Sequence, residues 1–192
     1  MAKVIRGAES MHSSAEVSKP APQDFQRIYR EHYSHIWRFL LHLGIRKSDV
    51  PDVTHNVFLI AYRKLDEFEH RSSVRTWLCG IALRVARGFM RSASVRLEVS
   101  ATDTTLFDAG ADDSVEAARQ DGQLQLAHRL LGALPAEQRE VFVLHELEQM
   151  TGTEIATLMG TSLGTVRSRL RRARDSFRKQ LAELGQQGVL DV

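Results

Sequence analysis

The sequence predicts an all-α protein made of two small helical domains joined by a flexible acidic linker. Apolar residues recur at spacings of three, four and seven along most of the 192-residue chain, and no segment alternates convincingly with period two. A polar, acidic stretch over residues 96–122 interrupts this pattern and predicts the linker. We therefore expect domains at 24–95 and 123–192, preceded by a disordered arm at 1–23 that contains several serines and prolines.

Three helices are expected in the first domain. The first begins near Asp24 and ends at Gly44, because glycine commonly follows the last turn of a helix. The second begins near Ser48, with Pro51 in its first turn, and Ser73 caps the third. The residues expected on their buried faces include Ile28, Ile36, Phe39, Leu40, Leu43, Val50, Val53, Val57, Ala61, Leu78, Ile81 and Val85.

The second domain ends in a predicted helix-turn-helix. Thr151 and Glu154 have the spacing of a capping box at the start of a short helix, which Gly160 ends. Thr161 or Ser162 then caps a long last helix. A short helix, a glycine turn and a longer helix are typical of the motif whose second helix enters the DNA major groove.

The last helix concentrates positive charge. Between residues 163 and 179, six arginines and Lys179 oppose Asp175 alone, although the formal net charge of the chain is only +2. A rotation of about 100° per residue places Ser168, Arg171 and Arg172 opposite the apolar side, with Arg167 on the flank. We expect these four to face the groove, where an arginine fork can bond guanine O6 and N7 together. The residues expected to contact phosphates are Arg169, Arg174, Arg178 and Lys179. A solvated charged face is the alternative.

The second domain resembles region 4 of extracytoplasmic-function (ECF) sigma factors, which belong to the primary sigma-factor superfamily. The matching residues are Leu134-Pro135, Gln138-Arg139, Glu154-Ile155-Ala156, Gly160, Gly164 to Leu170 and Arg172-Ala173-Arg174. The resemblance implies that this domain reads the minus-35 promoter element, with the four groove-facing residues of the last helix as its DNA contacts.

The first domain resembles region 2 of the same family. The matching residues are Asp49-Val50-Pro51-Asp52-Val53, Val57-Phe58-Leu59, Ala61-Tyr62, Leu65-Asp66, Phe68, Ser72-Ser73, Arg75-Thr76-Trp77-Leu78 and Ile81-Ala82. The resemblance implies that this domain binds the clamp helices of the largest subunit of core RNA polymerase and opens the minus-10 element. Together the two halves imply a sigma factor that directs core polymerase to specific promoters in response to stress.

Two groups of residues in the first domain take roles from this resemblance. Polymerase binding is expected from Asp49, Asp52, Val53, Asn56 and Val57. Minus-10 binding is expected from Phe68, Glu69, His70, Arg71, Ser72, Ser73, Trp77, Arg84, Arg87 and Arg91. The aromatic and polar side chains of the loop 68–73 can stack on and hydrogen-bond a flipped base, and the last three arginines suit single-strand phosphates. Trp77 also falls in the apolar stripe, so a core role is its alternative.

Some positions depart from the family pattern. His55 and Asn56 stand where relatives often carry glutamine and an acid, which removes one negative charge from the expected polymerase-binding edge. Arg84 stands where relatives carry a polar base-reading residue such as asparagine, so a minus-10 preference is not transferable. We also consider the hypothesis that phosphorylation of Thr54, beside that edge, restores negative charge. Plain surface or packing is the alternative for this threonine.

The resemblance further implies an anti-sigma factor, often membrane-associated, that holds the protein inactive by inserting between the two domains. The sequence has neither the apolar stretch of a secretory signal nor a run approaching the roughly 20 apolar residues that span a bilayer. We therefore expect a cytoplasmic protein that associates with the nucleoid when active, or is held at the inner membrane by its anti-sigma factor.

Two other functions stay open on the sequence alone. A helix-turn-helix repressor or activator that acts without core polymerase would use the second domain but leaves the first unexplained. A metal-dependent enzyme is the alternative of another class, because His32, His35 and His42 could cluster near Glu31. Zinc sites need three or four ligands, no second helix offers an evident complementary set, and the single Cys79 excludes a cysteine-rich site. We expect no metal, no cofactor and no catalytic residue.

Overall fold

The structure is a computed structural model that describes the backbone of residues 22–99 and 126–186, and the side chains of 24–92 and 126–185. Within those ranges no strand occurs, and the predicted all-α class is confirmed. The helices are α1 (Pro22–His42), α2 (Val50–Arg63), α3 (Val74–Val99), α4 (described over 126–132), α5 (Ala136–Phe142, continued by a π-helical turn, Val143–Leu147), α6 (Gly152–Met159) and α7 (Leu163–Gln186). A 3-10 turn, Leu65–Glu67, follows α2.

The predicted arm and most of the predicted linker lie outside the described residues. Of the arm, 1–23, only Pro22 and Gln23 are described, and they begin α1. Of the linker, 96–122, residues 96–99 are described, and they continue α3. The third helix is therefore longer than its apolar stripe predicted. No helix within the described ranges is both long and apolar enough to cross a membrane.

Helices α1, α2 and α3 form the N-terminal half, residues 22–99, and pack on one another around an apolar core. Its largest fully buried side chains are Ile36, Phe39, Leu40, Leu43, Ile45, Val50, Val53, Leu78 and Leu83. Most of them belong to the predicted stripes, and their removal from water is the main driving force for this packing. Ser73 caps α3 as predicted, since its Oγ accepts a hydrogen bond from the Thr76 N–H at 3.0 Å.

Gly44 ends α1 in the left-handed conformation that glycine adopts without strain, with φ at +95°. The backbone N–H groups of Gly44 and Ile45 donate to the carbonyls of Leu41 and Leu40 at 2.9 and 3.1 Å. A Cβ at position 44 would also lie 1.9 Å from Nη1 of Arg139. The predicted terminating glycine therefore has a second role, because it leaves room for a side chain from the other half of the molecule.

Helices α4 to α7 form the C-terminal half, residues 126–186, and this half packs against the N-terminal half. One apolar core continues from α1, α2 and α3 into α5, α6 and α7. Across the boundary, Nε and Nη2 of Arg87 donate to the two carboxylate oxygens of Glu140 at 2.9 and 2.6 Å. Gly80 lets α6 approach α3, since a Cβ there would lie 2.7 Å from Cδ1 of Leu158. We call this packing of the two halves the closed arrangement.

Thr54 lies in the core of the N-terminal half and not on the polymerase-binding edge. Its exposure is 0%, and its Oγ1 has no hydrogen-bond partner among the described residues. The helical phase that buries Val53, Val57 and Ala61 also buries position 54. The hypothesis of a surface phosphorylation at Thr54 is therefore wrong, because a kinase could not reach this hydroxyl in the folded helix.

We expect Thr54→Val to stabilise the protein. Valine keeps the shape of threonine and removes a buried hydroxyl without a partner, so the free energy of unfolding should rise by about 1 kcal/mol. Urea denaturation monitored by circular dichroism measures the change. Thr54→Ser is the matched control, since it keeps the hydroxyl and loses the methyl, and it should destabilise. Equal or lower stability of the valine variant would show that the hydroxyl is satisfied in solution.

His42 is held neutral at the contact between α1 and α4. Its pKa is lowered to about 4, first by burial and then by the nearby ring of His128, whose centroid is 5.3 Å away. Arg38 and His35 act in the same direction, and Glu148 opposes them. Acidification therefore charges this imidazole in the unfolded chain before it does so in the folded one.

The stability contributed by neutral His42 should be complete above pH 6.5 and lost as the pH falls towards 4. The folded pKa is below the unfolded value of 6.5, so the unfolded state takes up the proton first. The loss should reach about 2–3 kcal/mol. Chemical denaturation of the wild type and of His42→Gln at a series of pH values tests this, because the variant should lose less stability over the same window. Parallel curves for the two proteins would contradict it.

Candidate nucleic-acid interface

The C-terminal half contains the predicted helix-turn-helix, formed by α6, a turn at Gly160 and α7. The predicted capping box begins α6, where Oε2 of Glu154 accepts from the Thr151 N–H at 2.7 Å and the Thr151 hydroxyl accepts from the Glu154 N–H at 3.3 Å. The Thr151 N–H, together with the Thr151 hydroxyl that also donates to Oε2 at 2.7 Å, holds the pKa of Glu154 below its usual value. Gly160 has φ at +63°, and Ser162 caps α7 by accepting from the Thr165 N–H at 3.0 Å.

Helix α7 buries one side and presents arginines on the others. Val166, Leu170 and Ala173 are buried against α5 and α6, as the apolar pattern predicted. Three arginines are exposed, and the described residues give none of them an ion-pair partner: Arg167, Arg171 and Arg172. We call these three the α7 arginine face. Ser168 lies beside them, half-buried, and its hydroxyl donates to the Thr165 carbonyl at 2.9 Å.

The other basic residues of α7 are engaged in ion pairs. Arg169 pairs with Glu137 of α5, and Nη2 of Arg174 lies 2.6 Å from Oε1 of Glu146 in the π-helical turn. Further along the exposed side, Arg178 lies 3.4 Å from Asp175, and Lys179 lies 4.0 Å from Glu183. The first two pairs tie α7 to its own half, and the last two are exposed contacts along one helix that cost little to break.

The loop 68–73 of the N-terminal half has an aromatic stack at its base. The ring of Phe68 lies 4.5 Å from the ring of His70 and 4.8 Å from that of Trp77. His70 adopts a φ of +55°, which is rare for a residue with a side chain. Glu69 and Arg71 form an ion pair, and Ser72 and Ser73 are exposed. Trp77 is half-buried, so it supports the ring of Phe68 and keeps part of its own surface exposed.

The three arginines predicted to follow single-strand phosphates lie in different environments. Arg84 and Arg91 are exposed on α3. Arg87, between them, is engaged with Glu140 of the C-terminal half. The hydrogen bonds that Arg87 donates to Glu140 raise its pKa above the usual value, against the opposing effect of burial. In the closed arrangement the row is therefore interrupted at its centre.

The exposed side of α2 carries part of the set predicted to bind polymerase. Asp52 and Asn56 are exposed, and Asp49 is half-buried beside Arg46, whose Nε donates to its Oδ2 at 2.9 Å. Val53 and Val57 are 1% and 0% exposed, so the prediction that they contact polymerase is wrong for this structure. Both valines pack inward, as their place in the apolar stripe had also predicted.

Two apolar residues on the exposed side of α2 were not predicted from the sequence to be exposed. Leu59 is 39% exposed and Tyr62 is 54% exposed, and both are large apolar side chains. Leu59 follows Asn56 by three residues and Tyr62 follows Leu59 by three, so both lie on the same side of the helix as Asp52 and Asn56. That spacing could have predicted their exposure from the sequence. With these two residues, the exposed side of α2 continues for about two turns beyond Asn56.

The histidines that could have formed the metal site of an enzyme do not cluster with one another as their positions on α1 had suggested. His42 contacts His128, whereas Nε2 of His35 lies 2.9 Å from Oε2 of Glu148 and 3.7 Å from Sγ of Cys79. Burial raises the pKa of the Cys79 thiol, and Glu148 raises it further. Burial opposes ionisation of Glu148, but the hydrogen bonds and charges of His35 and Arg75 hold its pKa below the usual value.

Comparison with known proteins places both halves in one family. The family model for sigma-70 region 2 matches residues 28–96, and the one for sigma-70 region 4 matches residues 124–176. The ECF RNA polymerase sigma-E factor of Escherichia coli strain K12 is 31% identical over 160 residues, which cover 79% of this chain and 84% of that protein. The chain belongs to the ECF sigma factors. It is accordingly an RNA polymerase sigma factor, as the sequence resemblance implied.

Other relatives agree with this membership of the ECF sigma factors. The sigma-E factor of Haemophilus influenzae is 29% identical over 153 residues, which cover 76% of this chain and 81% of that protein. The structure of the sigma factor RpoE in complex with the anti-sigma factor NepR from Bartonella quintana matches with a TM-score of 0.69 at 23% identity, covering 83% of this chain and 98% of that one. CnrH in complex with the cytosolic domain of CnrY matches with a TM-score of 0.64 at 26% identity, covering 88% and 94%. These two likenesses support the all-α fold.

Proposed function

We propose that this ECF sigma factor reads the minus-35 element with the α7 arginine face. The observation that carries the proposal is the division among the arginines of α7. Arg169 and Arg174 are tied to glutamates of their own half, whereas the α7 arginine face is exposed on the second helix of a helix-turn-helix. Guanidinium groups in that position can donate two hydrogen bonds to one guanine. Ser168 adds a hydroxyl at the edge of the same face.

Phosphate contacts are the second part of this proposal. Arg178 and Lys179 have exposed intrahelical partners that DNA phosphates can replace at small cost. Arg169 and Arg174 would have to leave Glu137 and Glu146 or share their charge with the phosphate, so they should contribute less. These contacts add affinity without sequence information and weaken as salt rises.

The N-terminal half, in our proposal, holds core polymerase and the melted minus-10 strand. Asp49, Asp52 and Asn56 on α2 would face the clamp helices of the largest subunit, and the exposed Leu59 and Tyr62 would add apolar area to that contact. Large exposed apolar side chains beside acids are typical of a surface that is covered by a partner.

The loop 68–73 is proposed to capture a base flipped out of the minus-10 element. Phe68 presents a ring supported by Trp77, and His70, Arg71 and the two serines supply groups that can hydrogen-bond the base. Arg84 and Arg91 would contact phosphates of the single strand. Arg87 can join them only after it leaves Glu140, so we propose that the closed arrangement opens when the promoter complex forms.

Regulation and location follow the same proposal. Because RpoE from Bartonella quintana was solved in complex with an anti-sigma factor, we propose that an anti-sigma factor, in many cases membrane-associated, holds this chain inactive in the cytoplasm until a stress releases it. The role proposed is regulatory and not enzymatic, with no catalytic residue of its own.

In vitro transcription with purified core polymerase tests the proposed function. Run-off reactions on a library of genomic promoter fragments should give discrete starts that depend on this chain. A repressor or activator acting without core polymerase should instead bind duplex operators alone, commonly as a dimer on half-sites one helical turn apart. Absence of promoter-specific initiation with a core enzyme that is active with another sigma factor would defeat the proposal.

A further inference from the structure

Three potential metal ligands meet at the contact between the two halves. His35 belongs to α1 and Cys79 to α3, and Glu148 directly follows the π-helical turn. Nε2 of His35 lies 2.9 Å from Oε2 of Glu148 and 3.7 Å from Sγ of Cys79, and Sγ lies 3.7 Å from the same Oε2. Three donor types that bind zinc therefore converge from three separate elements.

The separations are close to those of a tetrahedral zinc site. Bonds of about 2.3 Å to sulfur and about 2.0–2.2 Å to nitrogen and oxygen give ligand separations of about 3.4–3.6 Å in a tetrahedron. The two distances to Sγ, at 3.7 Å, already match within a few tenths of an ångström. Only the 2.9 Å contact between His35 and Glu148 has to open, by about half an ångström. A side-chain adjustment of that size requires no movement of a helix.

The surroundings suit a bound cation. Cys79 is 0% exposed, the Glu148 side chain is 4% exposed, and the His35 side chain keeps 17% of its surface open to solvent. A thiolate and a carboxylate together balance the charge of Zn²⁺, and water can take the fourth position from the solvent side. Nε and Nη2 of Arg75 donate to Oε2 of Glu148 at 3.1 and 3.0 Å, which orients this carboxylate from outside the ligand set.

We propose that His35, Cys79 and Glu148 form a Zn²⁺ site that fastens the C-terminal half to the N-terminal half. The thiol proton of Cys79 leaves to solvent on binding, and Nε2 of His35 binds in its unprotonated form. Because two ligands belong to one half and the third to the other, zinc favours the closed arrangement. Its consequence for transcription rests on the proposed function, whereas metal binding itself does not.

Cobalt substitution tests the site directly. The tag-free full chain, kept reduced with a phosphine, is titrated with Co²⁺ and followed by absorption spectroscopy. The sequence contains one cysteine, so a thiolate-to-cobalt charge-transfer band in the near ultraviolet can arise only from Cys79. We expect this band, with visible bands of tetrahedral cobalt, at one Co²⁺ per chain, and we expect Zn²⁺ to displace it.

Variants separate the site from other metal contacts. Cys79→Ser should abolish the charge-transfer band, and His35→Ala and Glu148→Gln should each weaken Co²⁺ binding by about tenfold or more. His32→Ala, on the same helix but outside the ligand set, is the matched control and should bind as the wild type does. Circular dichroism confirms that each variant remains helical. Zn²⁺ should raise the Tm of the wild type and of His32→Ala but not that of Cys79→Ser.

The proposal is overturned if saturating Co²⁺ gives no thiolate band in the folded wild type, or if Glu148→Gln binds as tightly as the wild type. The second result would place any metal within the N-terminal half alone and remove the link between the halves. Run-off transcription is measured separately with and without Zn²⁺. A chain that binds cobalt through Cys79 but fails to initiate would defeat the proposed function and leave the metal site standing.

Discussion

Arg87→Ala is expected to open the closed arrangement. The change leaves the carboxylate of Glu140, which is 5% exposed, without the guanidinium that donates to both of its oxygens. Breaking a buried pair from one side costs about 3–5 kcal/mol, because the remaining charge stays desolvated. Separation of the two halves returns Glu140 to water, so opening is the way in which the protein relieves this cost.

The opposite single change should have a smaller effect. In Glu140→Ala, the remaining Arg87 is 34% exposed and can turn its guanidinium towards solvent. The stability order should therefore be wild type first, then Glu140→Ala, then Arg87→Ala. The double variant should be more stable than Arg87→Ala alone, since it contains no unpaired buried charge.

Small-angle X-ray scattering and denaturation measure these differences. Arg87→Ala should show a larger radius of gyration than the wild type at the same helical content. Arg84→Ala is the matched control, because it removes an exposed arginine from the same helix one turn away, and its scattering should not change. A compact Arg87→Ala protein with unchanged stability would show that the Arg87 and Glu140 pair does not hold the halves together.

Arg171→Ala is expected to relax promoter selectivity at one position of the minus-35 element. Arg171 is exposed on α7, and the structure provides it with no ion pair among the described residues. Removal of a bidentate hydrogen bond to guanine costs about 1–3 kcal/mol at that base pair. Transcription from the preferred promoter should therefore fall by about 5- to 150-fold, and a promoter that already lacks this base should be nearly unaffected.

A promoter series with every base at each minus-35 position, transcribed by core polymerase with either protein, measures this effect. Arg178→Ala is the matched control, since removal of a phosphate-binding side chain from the same helix should weaken all promoters alike and lower the salt dependence. If Arg171→Ala reduces every promoter by the same factor, Arg171 binds phosphate and does not read a base.

Local signals predicted much of the fold. Gly44, Ser73, the capping box of Thr151 and Glu154, and Gly160 all act at the helix ends where the sequence placed them. Such residues act through hydrogen bonds and backbone angles within a few positions of themselves, so their role is readable without tertiary structure. The apolar stripes likewise predicted the buried sides of α1, α2, α3 and α7.

The sequence predicted which residues are exposed less well than it predicted the ends of the helices. The sequence predicted both a core role and a polymerase contact for Val53 and Val57. The packing of α2 on its neighbours places both side chains in the core. Thr54 follows the same reasoning, since a polar side chain is compatible with either side of a helix until the helix is packed. Leu59 and Tyr62 lie outside the predicted apolar stripe, and the structure leaves both exposed.

By itself, the sequence determined that this protein is helical, that it belongs with ECF sigma factors, and that its last helix concentrates arginines away from its apolar side. Helical periodicity, capping residues and motifs express these properties locally. Tertiary structure alone decided which charges are free and which are paired across the halves. Arg87 and Glu140 are 53 positions apart in the chain. His35 and Glu148 are 113 positions apart, and Cys79 lies between them. No local pattern specifies contacts at that distance, because they depend on how the two halves pack.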